Sequence, residues 1–172
     1  MLFATPPLSI IDHPADSVHS GGQTRLGRDF IILHHTGGTN SLNWLSTTSP
    51  DNNPVSCHRL IDRDGRIFKI VPDDKTAYTQ GPAHIGPLPM ATMNLNNFAL
   101  SIEFENLGNG EVYPDAQLQA GAAQIVEWWG LYGFLPVLYH KQVQADKNDP
   151  FAFPRNRIDQ LIWARLKVIA RQ

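Results

Sequence analysis

One cysteine, Cys57, stands alone among 172 residues, so no disulfide can form within the chain and no multi-cysteine metal knuckle is available. Any metal site must therefore draw on histidines and carboxylates. Excess positive charge is also missing. The 14 Lys and Arg are scattered among 16 Asp and Glu, giving a net charge of −2, without the clustered cations that grip a polyanion. Nucleic acid is not expected as a partner. No apolar run approaches membrane-spanning length, which removes the membrane as an expected partner. The opening MLFATPPLSIID has no basic n-region, and prolines interrupt its apolar stretch, so no signal peptide is read there. A complete chain of this kind is expected to be made, and to accumulate, in the cytoplasm.

What is present is ordinary globular composition, 42% hydrophobic and 17% charged, which argues against disorder. A chain of this length buries roughly 70% of its unfolded surface on folding, enough for one domain without a partner, and a monomer is expected. Residues 1–29, with Pro6, Pro7, Pro14, Gly21, Gly22 and Gly27 and little periodicity, read as an extended N-terminal arm packed on a domain of residues 30–172. Phe30 to Leu33 is an unbroken apolar run, as in a strand buried on both faces, and it stops at His34-His35-Thr36-Gly37-Gly38. Ser41 to Leu45 is expected to form a short helix. VSCHRLIDRDGRIFKIV reads as two β segments about Asp64-Gly65, a strong hairpin signal.

Gly81 to Met93 is rich in glycine and proline and reads as a long surface loop, a kind of segment that often carries function. In the strand from Phe98 to Glu105, Phe98, Leu100, Ile102 and Phe104 share one face, and Ser101, Glu103 and Glu105 the other. Asp115 to Tyr132 has helical periodicity, with Leu118, Ala122, Ile125 and Trp129 inward and Gly133 as its stop. Val137 to Tyr139 is a short strand running into His140, followed by a polar loop through Pro154. Asn156 to Ala170 reads as a closing helix with Ile158, Leu161, Ile162, Leu166 and Ile169 inward. Alternating strands and helices with at least one hairpin predict an α/β fold, a single domain with a central mixed sheet flanked by helices.

Two strand ends carry histidine, His34-His35 and His140, and Asp149 follows in the run Asp146-Lys147-Asn148-Asp149-Pro150. Two imidazoles and a carboxylate form one known three-ligand set for catalytic zinc, the fourth position being left to water. The competing reading is that these histidines are core or loop residues with satisfied hydrogen bonds. No HExxH-like local motif ties the three together, and the residues alone leave both readings open.

The segments FIILHHTGG, VSCHRLIDRDGRIFKIVPDDKTAY, NNFALSIEFEN, YPDAQLQAGAAQIVEWWGLYGF and YHKQVQADKNDPFAFP, in that order, resemble the zinc-dependent N-acetylmuramoyl-L-alanine amidases. That family includes phage endolysins, bacterial recycling amidases and animal peptidoglycan-recognition proteins. The resemblance runs from about Phe30 to the C-terminus and lies in the ordered set rather than in any one piece. It implies a peptidoglycan-recognition-protein/amidase-like fold, a Zn²⁺ cofactor, and a peptidoglycan or muropeptide substrate cut between N-acetylmuramic acid and L-alanine. It places the zinc ligands at His34, His140 and Asp149, where some phage members have cysteine at the third position. Lys147 resembles the lysine beside the scissile carbonyl, where a fixed cation would stabilise a developing oxyanion. Glu103 resembles the glutamate that recycling-type members use to orient or deprotonate the attacking water. A recycling enzyme would act on cytoplasmic muropeptides and an endolysin on the cell wall.

Adjacent strand residues point to opposite faces, so His35 is expected to support the site rather than share a metal with His34. Cys57 stands where many members carry tyrosine and recycling ones alanine, and reads as a small buried residue. His58 either lines the cleft or is structural. The family's Trp-His-Ala-Gly stretch appears as Tyr78-Thr79-Gln80-Gly81, with His84 nearby as a substitute, and the glycine usual after Asp-Pro is Phe151. Besides the hydrolase, two other readings fit the class: a non-catalytic module that binds muropeptides, and a small domain with structural zinc. Asp149 argues against the first, and the single cysteine against the second.

Overall fold

The unbroken apolar run at 30–33 and the alternating pattern at 99–105 become the two strands at the heart of the sheet. The computed structural model describes residues 8–23, 27–47, 54–80, 82–83 and 93–171. In chain order the elements are β1 (Ile10–Asp12), β2 (Ser20–Gln23), β3 (Phe30–His35), α1 (Ser41–Ser46), β4 (Arg59–Ile61), β5 (Ile67–Lys69), β6 (Lys75–Ala77), β7 (Pro82–Ala83), β8 (Met93–Asn94), β9 (Ala99–Phe104), α2 (Asp115–Tyr132), β10 (Val137–Tyr139), α3 (His140–Val143) and α4 (Arg155–Ile169). Six of the strands form a mixed sheet in the order β1-β5-β4-β9-β3-β10, in which β4 and β5 are antiparallel and the other neighbours parallel. The β4–β5 turn is closed by Gly65 at φ +82°, with the Asp62 carboxylate accepting the backbone N–H groups of Asp64 and Arg66. Only glycine adopts that φ without strain.

Side-chain alternation divides the sheet into two faces with different work. Ile31, Leu33, Ile61, Leu100, Ile102 and Phe104 join one core with Leu118, Ala122, Ile125 and Trp128 of α2 and Ile158 and Ile162 of α4. Each such fully buried side chain contributes about 1.5–3 kcal/mol. Gly121 lets α2 lie close to the sheet, since a Cβ there would meet Phe104 Cζ at 2.6 Å. Trp128 is fully buried while Trp129 is only partly so, the reverse of the expected order. Asp73 explains the choice: it accepts the Trp128 indole N–H at 2.9 Å, and the Arg59 guanidinium it also pairs with sits over the same ring. Ile169, expected inward, is 48% exposed because α4 outruns the core at its last turn.

The opposite face carries Ile32, His34, His58, Leu60, Ser101 and Glu103, covered by α1, α3 and the turn at Leu95–Asn97. Two stretches of the N-terminal segment join sheets: β1 pairs with β5, and β2 pairs with β6. Within the expected Gly81 to Met93 loop, β7 pairs with β8, and the remainder, including His84, lies outside the described residues. The polar loop expected after Tyr139 begins instead with the single helical turn of α3. The Tyr139 N–H donates to the Gln142 side chain at 2.7 Å, which caps that turn. Among the described residues no helix is long and apolar enough to cross a membrane. The whole is one α/β domain with a mixed central sheet flanked by helices.

Candidate active site

Strands β3 and β10 run parallel with Leu33 opposite Tyr139, so His34 and His140 leave neighbouring strands side by side. Both are almost fully buried, and their rings lie 4.5 Å apart. The segment after α3 doubles back, its position fixed by the Lys141 N–H donating to the Asp149 carbonyl at 3.0 Å. This delivers the Asp149 carboxylate to both rings, with Oδ2 at 3.0 Å from Nδ1 of His34 and of His140. The three donors fall within 4.8 Å of one another, close enough to hold a metal ion. Burial alone would raise the Asp149 carboxyl, but its hydrogen bonds to His140 and His34 outweigh that and hold it well below the usual range. Burial lowers His34, with Asp149 opposing. Neutral imidazole beside an ionised carboxylate is the form in which these groups bind cations.

The far nitrogen of each ring is also engaged. His34 Nε2 lies 3.1 Å from Gln80 Oε1, and His140 Nε2 lies 2.9 Å from Gln144 Oε1. Sequence reading did not single out either glutamine. For Gln144 a signal exists, since it stands four residues after His140, one helical turn away. For Gln80 there is none, because its place is set by Asn96, whose side chain accepts the Gln80 N–H at 3.0 Å.

Glu103 pairs with His34 in the parallel register of β9 and β3, so the two side chains share a face on adjacent strands. Its Oε2 is shut away from solvent with no hydrogen-bond partner among the described residues. Burial pushes the carboxyl well above the ordinary range, and the charge of Asp149 pushes it further. The strand is central, between β4 and β3, not an edge facing solvent. Lys147 is exposed on the loop two residues before Asp149, its N–H donating to the Gln144 carbonyl at 3.2 Å. Its ammonium makes no hydrogen bond or ion pair with the described residues.

His35 turns to the other face, where Nδ1 accepts the Phe151 N–H at 3.0 Å, so it braces the chain just beyond Asp149. Gly108, at φ +70°, makes room for that ring, 2.5 Å from where a Cβ would stand. His58 is locked inside. Its Nδ1 accepts the Ser101 N–H at 3.1 Å and its Nε2 donates to the Lys75 carbonyl at 3.0 Å. Burial first, then the Arg28 charge, pushes its pKa down to about 3. Thr79 belongs to this closed network, its hydroxyl 2.7 Å from Ser101 Oγ. Cys57 is wholly buried, and burial, then the charge of Glu103, pushes its thiol well up, which leaves it no nucleophilic character.

The N-acetylmuramoyl-L-alanine amidase family model matches residues 24–152. No curated protein sequence matches the chain. Among solved structures, a selenomethionyl AmpD derivative is similar at 24% identity and TM-score 0.74, covering 89% of this chain and 94% of that one. The N-acetylmuramoyl-L-alanine amidase LysC from Clostridium intestinale URNW is similar at 19% identity and TM-score 0.65, covering 92% and 97%. The E. coli amidase AmiD, solved with anhydro-N-acetylmuramic acid-L-Ala-D-gamma-Glu-L-Lys, is similar at 22% identity and TM-score 0.62, covering 78% and 57%. At these identities the likeness to the solved structures shows the fold.

Proposed function

The chain belongs to the N-acetylmuramoyl-L-alanine amidase family, and from that premise we propose that it hydrolyses muropeptides with zinc held by His34, His140 and Asp149. The observation that carries this reading is the convergence of two imidazole Nδ1 atoms on one ionised carboxylate, with both far nitrogens paired to amide oxygens. Such a donor set, three protein ligands of nitrogen and oxygen, suits catalytic zinc. When bound, zinc would supply an activated water and polarise the amide carbonyl between the lactyl group of N-acetylmuramic acid and L-alanine.

The chain's own residues account for the rest. Glu103 stands beside His34, and its burial raises the carboxyl well above its ordinary range. A carboxyl of that kind can take a proton as the carbonyl is attacked and return it to the alanine nitrogen as the bond breaks. Lys147, on the loop that carries Asp149, has an ammonium uncommitted among the described residues. Swung toward the scissile carbonyl, it would hold the oxygen as negative charge builds there.

Mass spectrometry of purified muropeptides incubated with the protein, with and without chelator, tests this. Free stem peptide beginning at L-alanine is expected only when metal is present. Cleavage that persists in protein shown by elemental analysis to be metal-free would overturn the zinc reading. Muropeptide bound but uncut by the zinc-loaded protein would favour the non-catalytic module.

A further inference from the structure

We infer that Gln80 and Gln144 are positioning residues that select the metal-binding tautomer of His34 and His140, an inference that rests on the zinc reading above. A neutral imidazole carries one N–H. Without metal, each Nδ1 lies at hydrogen-bond distance from the Asp149 carboxylate and can donate to it; once a metal takes the Nδ1 lone pair the proton must sit on Nε2, where an amide oxygen stands ready to accept it in both rings. Both rings are treated alike, by side chains from unrelated parts of the chain. In metal sites this outward hydrogen bond fixes ring orientation and ligand basicity.

Two further observations separate the pair from incidental polar contacts. Gln80 is only 3% exposed, and its own N–H is anchored on Asn96, so its oxygen is held in place. Gln144 is half-buried at the end of α3, where its backbone N–H donates to the His140 carbonyl at 2.9 Å. Its side chain thereby returns to the ring of the residue that opens the turn. The choice of amide over carboxylate also has a reason. Asp149 and Glu103 already bring two carboxyl groups to the site, and a third would add negative charge that weakens the bound metal's pull on a carbonyl. A neutral acceptor fixes the tautomer without that cost.

Zinc affinity measured by competition with a chromogenic chelator tests the inference, and each metal-free variant is melted alongside to report its fold. Gln80→Met and Gln144→Met keep the side-chain volume and lose the acceptor, and each should weaken zinc binding by about 10- to 100-fold. The loss should be larger at the anchored Gln80. Gln80→Glu and Gln144→Glu restore an acceptor and should return zinc affinity to at least the wild-type level, with a changed d–d spectrum in the cobalt-substituted protein. Methionine variants that fold and bind zinc like wild type would overturn the inference, as would glutamate variants that lose as much affinity as the methionine ones. Wild-type protein that takes up no zinc would instead remove the reading beneath it.

Discussion

His34 and His58 face the same side of the sheet, and their partners on β9, Glu103 and Ser101, are only two residues apart. Both rings are almost completely buried, at 1% exposure each. Around His58 every polar partner is neutral and the hydrogen bonding is complete: one nitrogen accepts, the other donates, and Thr79 and Ser101 close the network. Of the charges close by, Arg28 and Arg59 oppose a positive charge on the ring and Asp73 favours it, and burial with Arg28 prevails. Around His34 one nitrogen is paired to a neutral amide, and the other meets a carboxylate shared with a second histidine. Burial therefore does not distinguish a working histidine from a structural one. What distinguishes it is one carboxylate set at hydrogen-bond distance from two imidazole nitrogens, three donors close enough for a cation to share.

The largest effect should come from turning the first kind of histidine into the second. His140→Ala removes one of three donors and is expected to abolish zinc uptake and bring turnover to background, while His58→Ala in folded protein should leave zinc stoichiometry at one. Elemental analysis of both variants decides this, and zinc loss from His58→Ala would erase the contrast. Next, Glu103→Ala is expected to retain zinc and lose roughly 10²–10⁴-fold in kcat, with Glu105→Ala mild by comparison. If Glu105 proves the costlier residue, the proton carrier lies at the other end of that strand face. Lys147→Ala should lower kcat by roughly 10²–10³-fold with little change in KM in zinc-loaded protein. A raised KM that salt weakens, with kcat intact, would make Lys147 a docking charge instead.

A further effect concerns stability rather than turnover. Between the folded pKa of about 3 and the ordinary 6.5, the unfolded chain carries a proton on His58 that the folded chain does not. Stability therefore rises with pH across that window and is lost on acidification, at about 1.4 kcal/mol per pH unit for this one group. Urea titrations at several pH values should show a shallower slope for His58→Gln than for wild type. Equal slopes would mean the ring is protonated as easily folded as unfolded.

Patterns of apolar residues made β3, β9 and α2 legible, because burial on one or both faces dictates them directly. The Asp64-Gly65 signal likewise marked its hairpin. β2 escaped, since Ser20-Gly21-Gly22-Gln23 has no apolar alternation and is a strand only because β6 lies beside it; a Cβ on Gly21 would meet Thr76 Cβ at 3.0 Å. Trp128 and Trp129 were exchanged because the helical period points to Trp129, and only the tertiary pairing of Asp73 with the other indole reveals the choice. Trp129 instead lines a groove of about 450 Å³ with Phe134 and Trp163. The three side chains proposed to hold zinc, which the fold brings together, were legible through the order of motifs, whereas Gln80 was not, since an amide's partner is decided by whatever the fold brings to it.

The pairing of β3 with β10 has a consequence for the polymer itself. His34 and His140 are distant in sequence, yet backbone hydrogen bonding between their strands has already set them together, as in the Ile31 N–H donating to the Pro136 carbonyl at 2.9 Å. Asp149, nine residues beyond His140, is brought to them by a loop that the Lys141 N–H and the His35 ring already hold at its end. Closing a loop of that length carries a length-dependent entropy of only about 2 kcal/mol. A cation bound there would therefore tighten one short, already folded segment rather than assemble the domain. Removing such a cation should at most raise the protease sensitivity of residues 141–148 while the sheet and its helices persist, so metal could come and go without refolding.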